Sequence, residues 1–179
     1  GEVAVPTMHN QMTARYGEAD GWTGIALPYT DGFTASVLLP PVDLDLASIN
    51  ELAPPLTSDD LQVVTEVNLA LPRFDIAATL DLTQALPELG VSAVFNDPSA
   101  LSGISDQELV VSQASQQVKL RVAERGTVAA AVTEIGLAET AAPPTELIEF
   151  NVDRPFLFTI THDATGLNLI TALIRDPRF

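Results

Sequence analysis

The sequence contains no cysteine, and this absence removes several kinds of chemistry at once. Disulfides, zinc–thiolate sites and cysteine nucleophiles all need the thiol group, so none of them can operate in these 179 residues. Lysine occurs only at Lys119, and the seven arginines are scattered along the chain. With a formal net charge of −16, the chain lacks the clustered cations that bind nucleic acids and anionic membranes, and we expect neither as a partner.

Long apolar runs and catalytic motifs are also missing. No apolar stretch approaches the ~20 residues that cross a bilayer. The two histidines, His9 and His162, lie far apart and have no metal-ligand spacing. No G-x-S-x-G, H-E-x-x-H, P-loop or G-x-G-x-x-G pattern occurs. The sequence therefore predicts a protein that is not an enzyme and that has no metal site and no cofactor.

Alternating apolar residues and turn signals predict a chain dominated by strands. The predicted strands, in chain order, are 3–8, 11–16, 22–29, 33–39, 61–70, 113–125, 156–161 and 167–174. Thr30-Asp31-Gly32 is a hairpin signal between two of them, and Gly17 and Gly21 are expected to break strands. Short helices are predicted at 43–52 and at 81–89, the second shortened by Pro87. The order of these elements indicates an α+β fold.

Residues 124–145 have no obvious place in this pattern. From Gly126 to Thr133 the segment has no charge, no proline and no large side chain. An exposed connection normally carries polar turn residues, and a buried strand normally carries larger ones. Long connections in compact domains are uncommon and tend to be functional or disordered. We therefore interpret the segment as a loop that is also able to form a strand.

Five short motifs occur over nearly the whole chain. In chain order they are V-P-T-M at 5–8, L-P-R-F at 71–74, L-S-G-I-S at 101–105, E-R-G-T-V-A-A-A at 124–131 and F-N-V-D-R-P-F-L-F at 150–158. The last is similar to the F-x-A-[DN]-[HR]-P-F-x-F signature of serpins, the serine protease inhibitor family. Residues 124–131 resemble the serpin hinge pattern E-x-G-[TS]-E-A-A-A. Each motif alone is weak, but in this order and spacing the chain resembles the C-terminal half of a serpin.

The resemblance implies a serpin-like multi-sheet fold that is dominated by β structure, with short helices and an exposed reactive-centre loop. Residues 1–179 would be the C-terminal portion of a single serpin domain, and 126–146 would be the loop. The N-terminal half would supply most helices and the central strands of the large sheet. We expect that half to be absent from this chain and to be its partner. The same resemblance leads us to expect a prokaryotic source and an extracellular location.

The hinge implied by the resemblance comprises Glu124, Gly126, Thr127, Val128, Ala129, Ala130 and Ala131. In serpins a cut reactive loop inserts into a sheet as a new strand. Side chains alternate between the faces of a strand, so Thr127, Ala129 and Ala131 would share one face of small or β-branched residues. About a dozen new hydrogen bonds at ~1 kcal/mol each would release on the order of 10 kcal/mol. Serpins usually have glutamate at the position of Val128, and we expect insertion to survive the change because valine is uncharged and favours strands.

Two further features follow from the resemblance, an ion pair and the position of the reactive bond. Arg73 and Glu124 stand where serpins pair a base with an acid, and we predict a salt bridge between them. The reactive bond, counted from Glu124 as in the family, is expected to be Thr140–Ala141. The alternatives are the neighbouring bonds, Glu139–Thr140 and Ala141–Ala142. Threonine before the cut suits the small-residue pocket of an elastase-like or subtilisin-like serine protease.

The resemblance therefore implies a suicide substrate of a serine protease. This chain would supply the loop that the protease cleaves, and it would contribute no catalytic group. Two other interpretations remain open at this point. The chain could be a serpin-like binding module that is cleaved without trapping a protease. It could also be an inactive structural fragment, because the sheet that would accept the loop is mostly not encoded here.

Overall fold

The structure is a computed structural model, and it describes residues 4–44, 54–124, 126–127 and 147–178. Its contacts divide the chain into two compact units. One unit comprises residues 1–75 and 121–179, and the other comprises residues 76–120. Among the described residues, no helix is long and apolar enough to cross a bilayer.

A seven-stranded sheet dominates the first unit. Its strands, in chain order, are β1 (Thr7–Ala19), β2 (Trp22–Tyr29), β3 (Phe33–Leu39), β4 (Val63–Pro72), β8 (Ile148–Asn151), β9 (Phe156–His162) and β10 (Leu167–Ile174). Their order across the sheet is β10-β9-β3-β2-β1-β4-β8. All neighbouring pairs are antiparallel except β4 and β8, which run parallel. The late strand β9 thus lies inside the sheet, between β3 and β10.

A second sheet has three strands, β5 (Phe74–Asp81), β6 (Ser115–Ala123) and β7 (Gly126–Thr127), in the order β5-β6-β7. The 76–120 unit also contains two single-turn helices, α1 (Ala85–Glu88) and α2 (Ala93–Asn96). Within this unit, Leu82 N–H donates to the Ala114 carbonyl at 2.8 Å, and Val111 N–H donates to the Val94 carbonyl at 2.8 Å. These bonds fold the 97–114 stretch back towards α2 and towards Leu82, which precedes α1.

Two apolar clusters hold the first unit together. In one, Trp22, Ala26 and Leu38 of the sheet pack with Leu56 and Leu61 from the segment that leads into β4. In the other, the ring of Phe74 contacts the rings of Phe156 and Phe158 edge-on, with centroids 5.7 and 5.3 Å apart. All three phenylalanines are fully buried, so this cluster anchors both β9 and the start of β5.

The predicted hairpin and most predicted strands are confirmed, and the differences have physical reasons. Residues 7–8 and 11–16 of the two predicted strands belong to one strand, β1, which runs through Gly17. Residues 4–6 of the first prediction are not in a strand, and residue 3 lies outside the described residues. Gly17 is needed for close packing and does not break the strand, because a Cβ there would lie 2.8 Å from the Asp60 carbonyl oxygen. The helix predicted at 81–89 is reduced to the turn α1, which contains Pro87, and Gly90 follows it with φ +94°. Most of the predicted helix 43–52 lies outside the described residues.

Candidate functional site

The chain doubles back at the end of β6. After Ala123 it turns at Glu124 and continues as β7, which pairs antiparallel with the strand it has just left. The register places Thr127 opposite Val122 and Gly126 opposite Ala123. Gly126 and Thr127 of the expected hinge therefore lie along β6, on the side away from β5.

The two faces of β6 differ strongly. Leu120 and Val122 are buried, with 1% and 4% of their surface exposed, whereas Lys119 and Arg121 are exposed. Arg121 Nε lies 4.0 Å from the carboxylate of Asp75 in β5. Opposed residues of an antiparallel pair project from the same face. A strand beside β6 would thus place apolar side chains on the buried face and could present polar ones to solvent.

Arg73 and Glu124 form an ion pair beside this turn. Arg73 stands between β4 and β5, and its guanidinium donates a hydrogen bond to the Glu124 carboxylate. The Arg73 backbone is fixed in turn, since its N–H donates to the Pro6 carbonyl at 2.9 Å. A hydrogen bond from its own backbone N–H and the bond from Arg73 lower the pKa of Glu124. Both side chains are about half exposed, so this ion pair lies at the protein surface beside the turn.

The far end of the same segment is fixed by β8. Its four residues pair with residues 67–70 of β4. The Asn68 amide donates to both carboxylate oxygens of Glu149, at 3.1 and 2.9 Å, and Val152 N–H donates to the Ala70 carbonyl at 2.9 Å. Just beyond, Arg154 Nε donates to the Pro40 carbonyl at 2.9 Å. Several independent hydrogen bonds therefore hold the chain where it re-enters the sheet.

The structure places only some of the site residues named from the sequence. Arg73 and Glu124 are brought together, and Gly126 and Thr127 form β7. The remaining hinge residues Val128, Ala129, Ala130 and Ala131 lie outside the described residues, as do Thr140 and Ala141 of the expected reactive bond. The Asn68–Glu149 contact was not found from the sequence. Its partners are 81 residues apart and meet only because β4 and β8 are parallel neighbours.

The chain is similar to proteins of known family over nearly all its length. A family model described as Serpin (serine protease inhibitor) matches residues 1–177. The protein Iris of Ixodes ricinus is 33% identical over 180 residues, covering 96% of this chain and 48% of that protein. Plasminogen activator inhibitor 1 of Neovison vison is 46% identical over 77 residues, which cover 42% of this chain and 18% of that protein.

A solved structure gives the same picture for the fold. The structure of a serpin from Schistosoma mansoni matches with a TM-score of 0.76 and 28% identity, covering 97% of this chain and 46% of that one. The chain thus spans about half the length of the relatives it matches from end to end. The three organisms are eukaryotes, so these relatives give no support to the expected prokaryotic source.

Proposed function

Because the chain belongs to the serpin family, we propose that it carries the reactive loop of a serine protease inhibitor that acts as a suicide substrate. The observation that carries the proposal is the pairing of β7 with β6. Gly126 and Thr127 of the hinge already pair with β6, so the hinge can form a longer strand by adding residues to this pairing. Each further residue extends an existing ladder.

The register of that pairing decides which hinge side chains face inward. Continued along β6, it puts Ala129 opposite Leu120 and Ala131 opposite Val118. These uncharged side chains fall on the face that β6 buries, where a charged one would carry a desolvation penalty. Val128 and Ala130 fall opposite the exposed Arg121 and Lys119. The first charged residue after the hinge, Glu134, falls opposite Ser115, where β6 begins, so insertion along β6 buries no charge.

The proposed sequence of events begins with a cut at Thr140–Ala141. A serine protease with a small-residue pocket, elastase-like or subtilisin-like, attacks the Thr140 carbonyl and forms an acyl-enzyme. The freed hinge then inserts beside β6 and carries the attached protease away before water completes the hydrolysis. About seven new strand hydrogen bonds along the unpaired part of β6, residues 115–121, at ~1 kcal/mol each would supply roughly 7 kcal/mol for this motion. We place this reaction outside the cell, as the family resemblance implies.

The partner in this proposal is a polypeptide equivalent to the N-terminal half of a serpin. The relatives that match this chain from end to end are about twice its length. An inserted strand is most stable with a neighbour on each side, and β6 supplies only one of them. We therefore propose that an N-terminal half, added in trans or joined to this chain, completes the sheet.

The test combines this chain with the N-terminal half of a homologous serpin and exposes the mixture to elastase or subtilisin. We expect a covalent complex that survives denaturing electrophoresis, with the protease joined to residues 1–140. Mass spectrometry should place the cut between Glu139 and Ala142. Cleavage at that site without a complex would favour the non-inhibitory binding module. A chain that is neither cleaved there nor changed by the added half would favour the inactive fragment.

A matched variant tests the role of hinge size. In Ala131→Arg, a large charged side chain would fall opposite half-buried Val118 on the face that β6 buries, and insertion should be blocked. The same change at Ala130 falls on the exposed face and should be tolerated. Loss of the complex in both variants, or in neither, would contradict the proposed register.

A further inference from the structure

A large recess opens on the first unit, and none of the described hinge residues lines it. Its volume is about 930 Å³, within the range of sites that bind small organic molecules. Its walls come from four stretches of chain: residues 4–7, the end of β4, the 151–156 connection and residues 174–178 after β10. A site assembled from four separate stretches has a shape that the fold fixes.

The recess concentrates the few cations of an acidic protein. Three of the seven arginines line it, Arg154, Arg175 and Arg178, against two aspartates, so its lining is positive while the whole chain carries −16. Arg154 bonds Asp153 at 2.9 Å, and Arg178 Nε bonds Asp176 at 2.8 Å. Each aspartate is thereby committed to one arginine. Arg175 has no ion pair with any residue that the structure describes.

The rest of the lining is largely apolar. Val5, Pro72, Pro155 and Pro177 form its walls, and the buried Phe156 and Ile174 lie beneath. Proline rings are rigid and apolar, so these walls can pack against a hydrocarbon body at little cost in side-chain entropy. The recess therefore offers one guanidinium that has no ion pair among the described residues, beside an apolar surface.

We propose that this recess binds a small amphipathic carboxylate, with the carboxylate on Arg175 and the apolar body against the proline walls. A planar guanidinium presents two parallel N–H donors that match a carboxylate. Among its described residues the lining exceeds neutrality by one charge, which fits a monoanion. Ligands with several negative charges would gain little more in the recess and would be repelled by the rest of the chain. This site is independent of the proposed inhibitory function.

The experiment titrates the chain with octanoate and follows binding by calorimetry or by NMR. Two control ligands separate the contributions of charge and of apolar contact. Octanol has the same hydrocarbon chain length without the charge, and inorganic phosphate is charged but has no hydrocarbon chain. We expect saturable binding of octanoate and much weaker binding of the other two. In Arg175→Gln the affinity should fall by about tenfold or more, the scale of one lost charge-assisted contact.

Arg15→Gln is the matched control, because Arg15 is also exposed, has no ion pair among the described residues and lies outside the recess. It removes the same charge and should leave octanoate binding unchanged. Circular dichroism would establish that both variants keep the fold. Equal weakening in the two variants would overturn the site, because it would show only a response to net charge. Equal binding of octanol and octanoate, or no saturation by about 10 mM octanoate, would overturn it as well.

Discussion

Arg73, in the connection between β4 and β5, binds the carboxylate of Glu124, the residue that follows β6, across 51 positions of sequence. A few residues earlier, Asn68 of β4 binds Glu149 of β8. Residues on or next to β4 thus hold the chain both before and after the stretch that contains the proposed reactive bond. This arrangement leads to the first two predictions.

Loss of the Arg73–Glu124 pair should make the hinge easier to release. In Arg73→Gln or Glu124→Gln the remaining partner is exposed to water, so overall stability should change little, while the hinge gains freedom. We expect severalfold faster amide exchange at Gly126 and Thr127 and severalfold faster insertion of the uncut loop. Hydrogen exchange and native electrophoresis measure these two rates. Arg15→Gln is the control, and unchanged rates in both single variants would refute a role for the pair.

Acid should release the same contact. The pKa of Glu124 lies below its ordinary value of 4.5 in the folded protein, so the contribution of the pair is complete above that value and is lost as the pH falls through the lowered pKa. Hinge exchange, corrected for the intrinsic effect of pH, should therefore rise only below about pH 4.5. Glu124→Gln should show no such rise. A transition near neutral pH that persists in this variant would assign the effect to another group.

Gly24 should resist substitution because side chains crowd against it. A Cβ there would lie 2.6 Å from Leu38 Cδ2 and 2.9 Å from both Leu56 and Leu61. Gly24→Ala should therefore cost about 1–3 kcal/mol of unfolding free energy, the usual penalty for overpacking a core. Urea denaturation measures this cost. Gly103→Ala is the control, since a Cβ there meets nothing within 4 Å, and equal effects at the two sites would contradict the packing explanation.

After a cut near Thr140, residues 141–179 should stay bound without a covalent link. Strand β9 lies between β3 and β10, and the ring of its Phe158 is fully buried against Phe74. Native electrophoresis should show one species and denaturing electrophoresis two. Phe158→Ala should cost about 3–5 kcal/mol and promote dissociation of the fragment. Phe33→Ala, at a half-exposed ring, should cost less, and spontaneous dissociation of the unmodified fragment would contradict the prediction.

The regular strands could be predicted from the sequence because their apolar runs and the turn residues between them indicate the same structure. Thr30-Asp31-Gly32 joins two apolar runs, and the structure has β2 and β3 at the predicted positions, with Asp31 and Gly32 both at positive φ. Gly17 was misjudged for the opposite reason. Its role is set by Asp60, a residue 43 positions away, and no local pattern reports such a contact.

Some features of the candidate site could likewise be predicted from the sequence, and others depend on tertiary contacts. The hinge at 124–131 was assigned from the family resemblance and stays a prediction, although its small residues are a local property that the sequence shows directly. The Arg73–Glu124 pair was expected only from the family resemblance, since nothing local connects two residues that lie 51 positions apart. The Asn68–Glu149 contact and the arginine-lined recess depend on which strands become neighbours. Tertiary packing creates both, so neither leaves a periodic signal in the sequence.

The central claim is that the hinge continues along β6 in the register of Val122 with Thr127. Hydrogen exchange of residues 128–134 tests it most directly, measured before and after elastase cleavage, with the N-terminal half of a homologous serpin present. The proposal predicts fast exchange of these amides before the cut and strong protection of the whole stretch after it. Fast exchange in the cleaved, assembled protein would contradict insertion along β6.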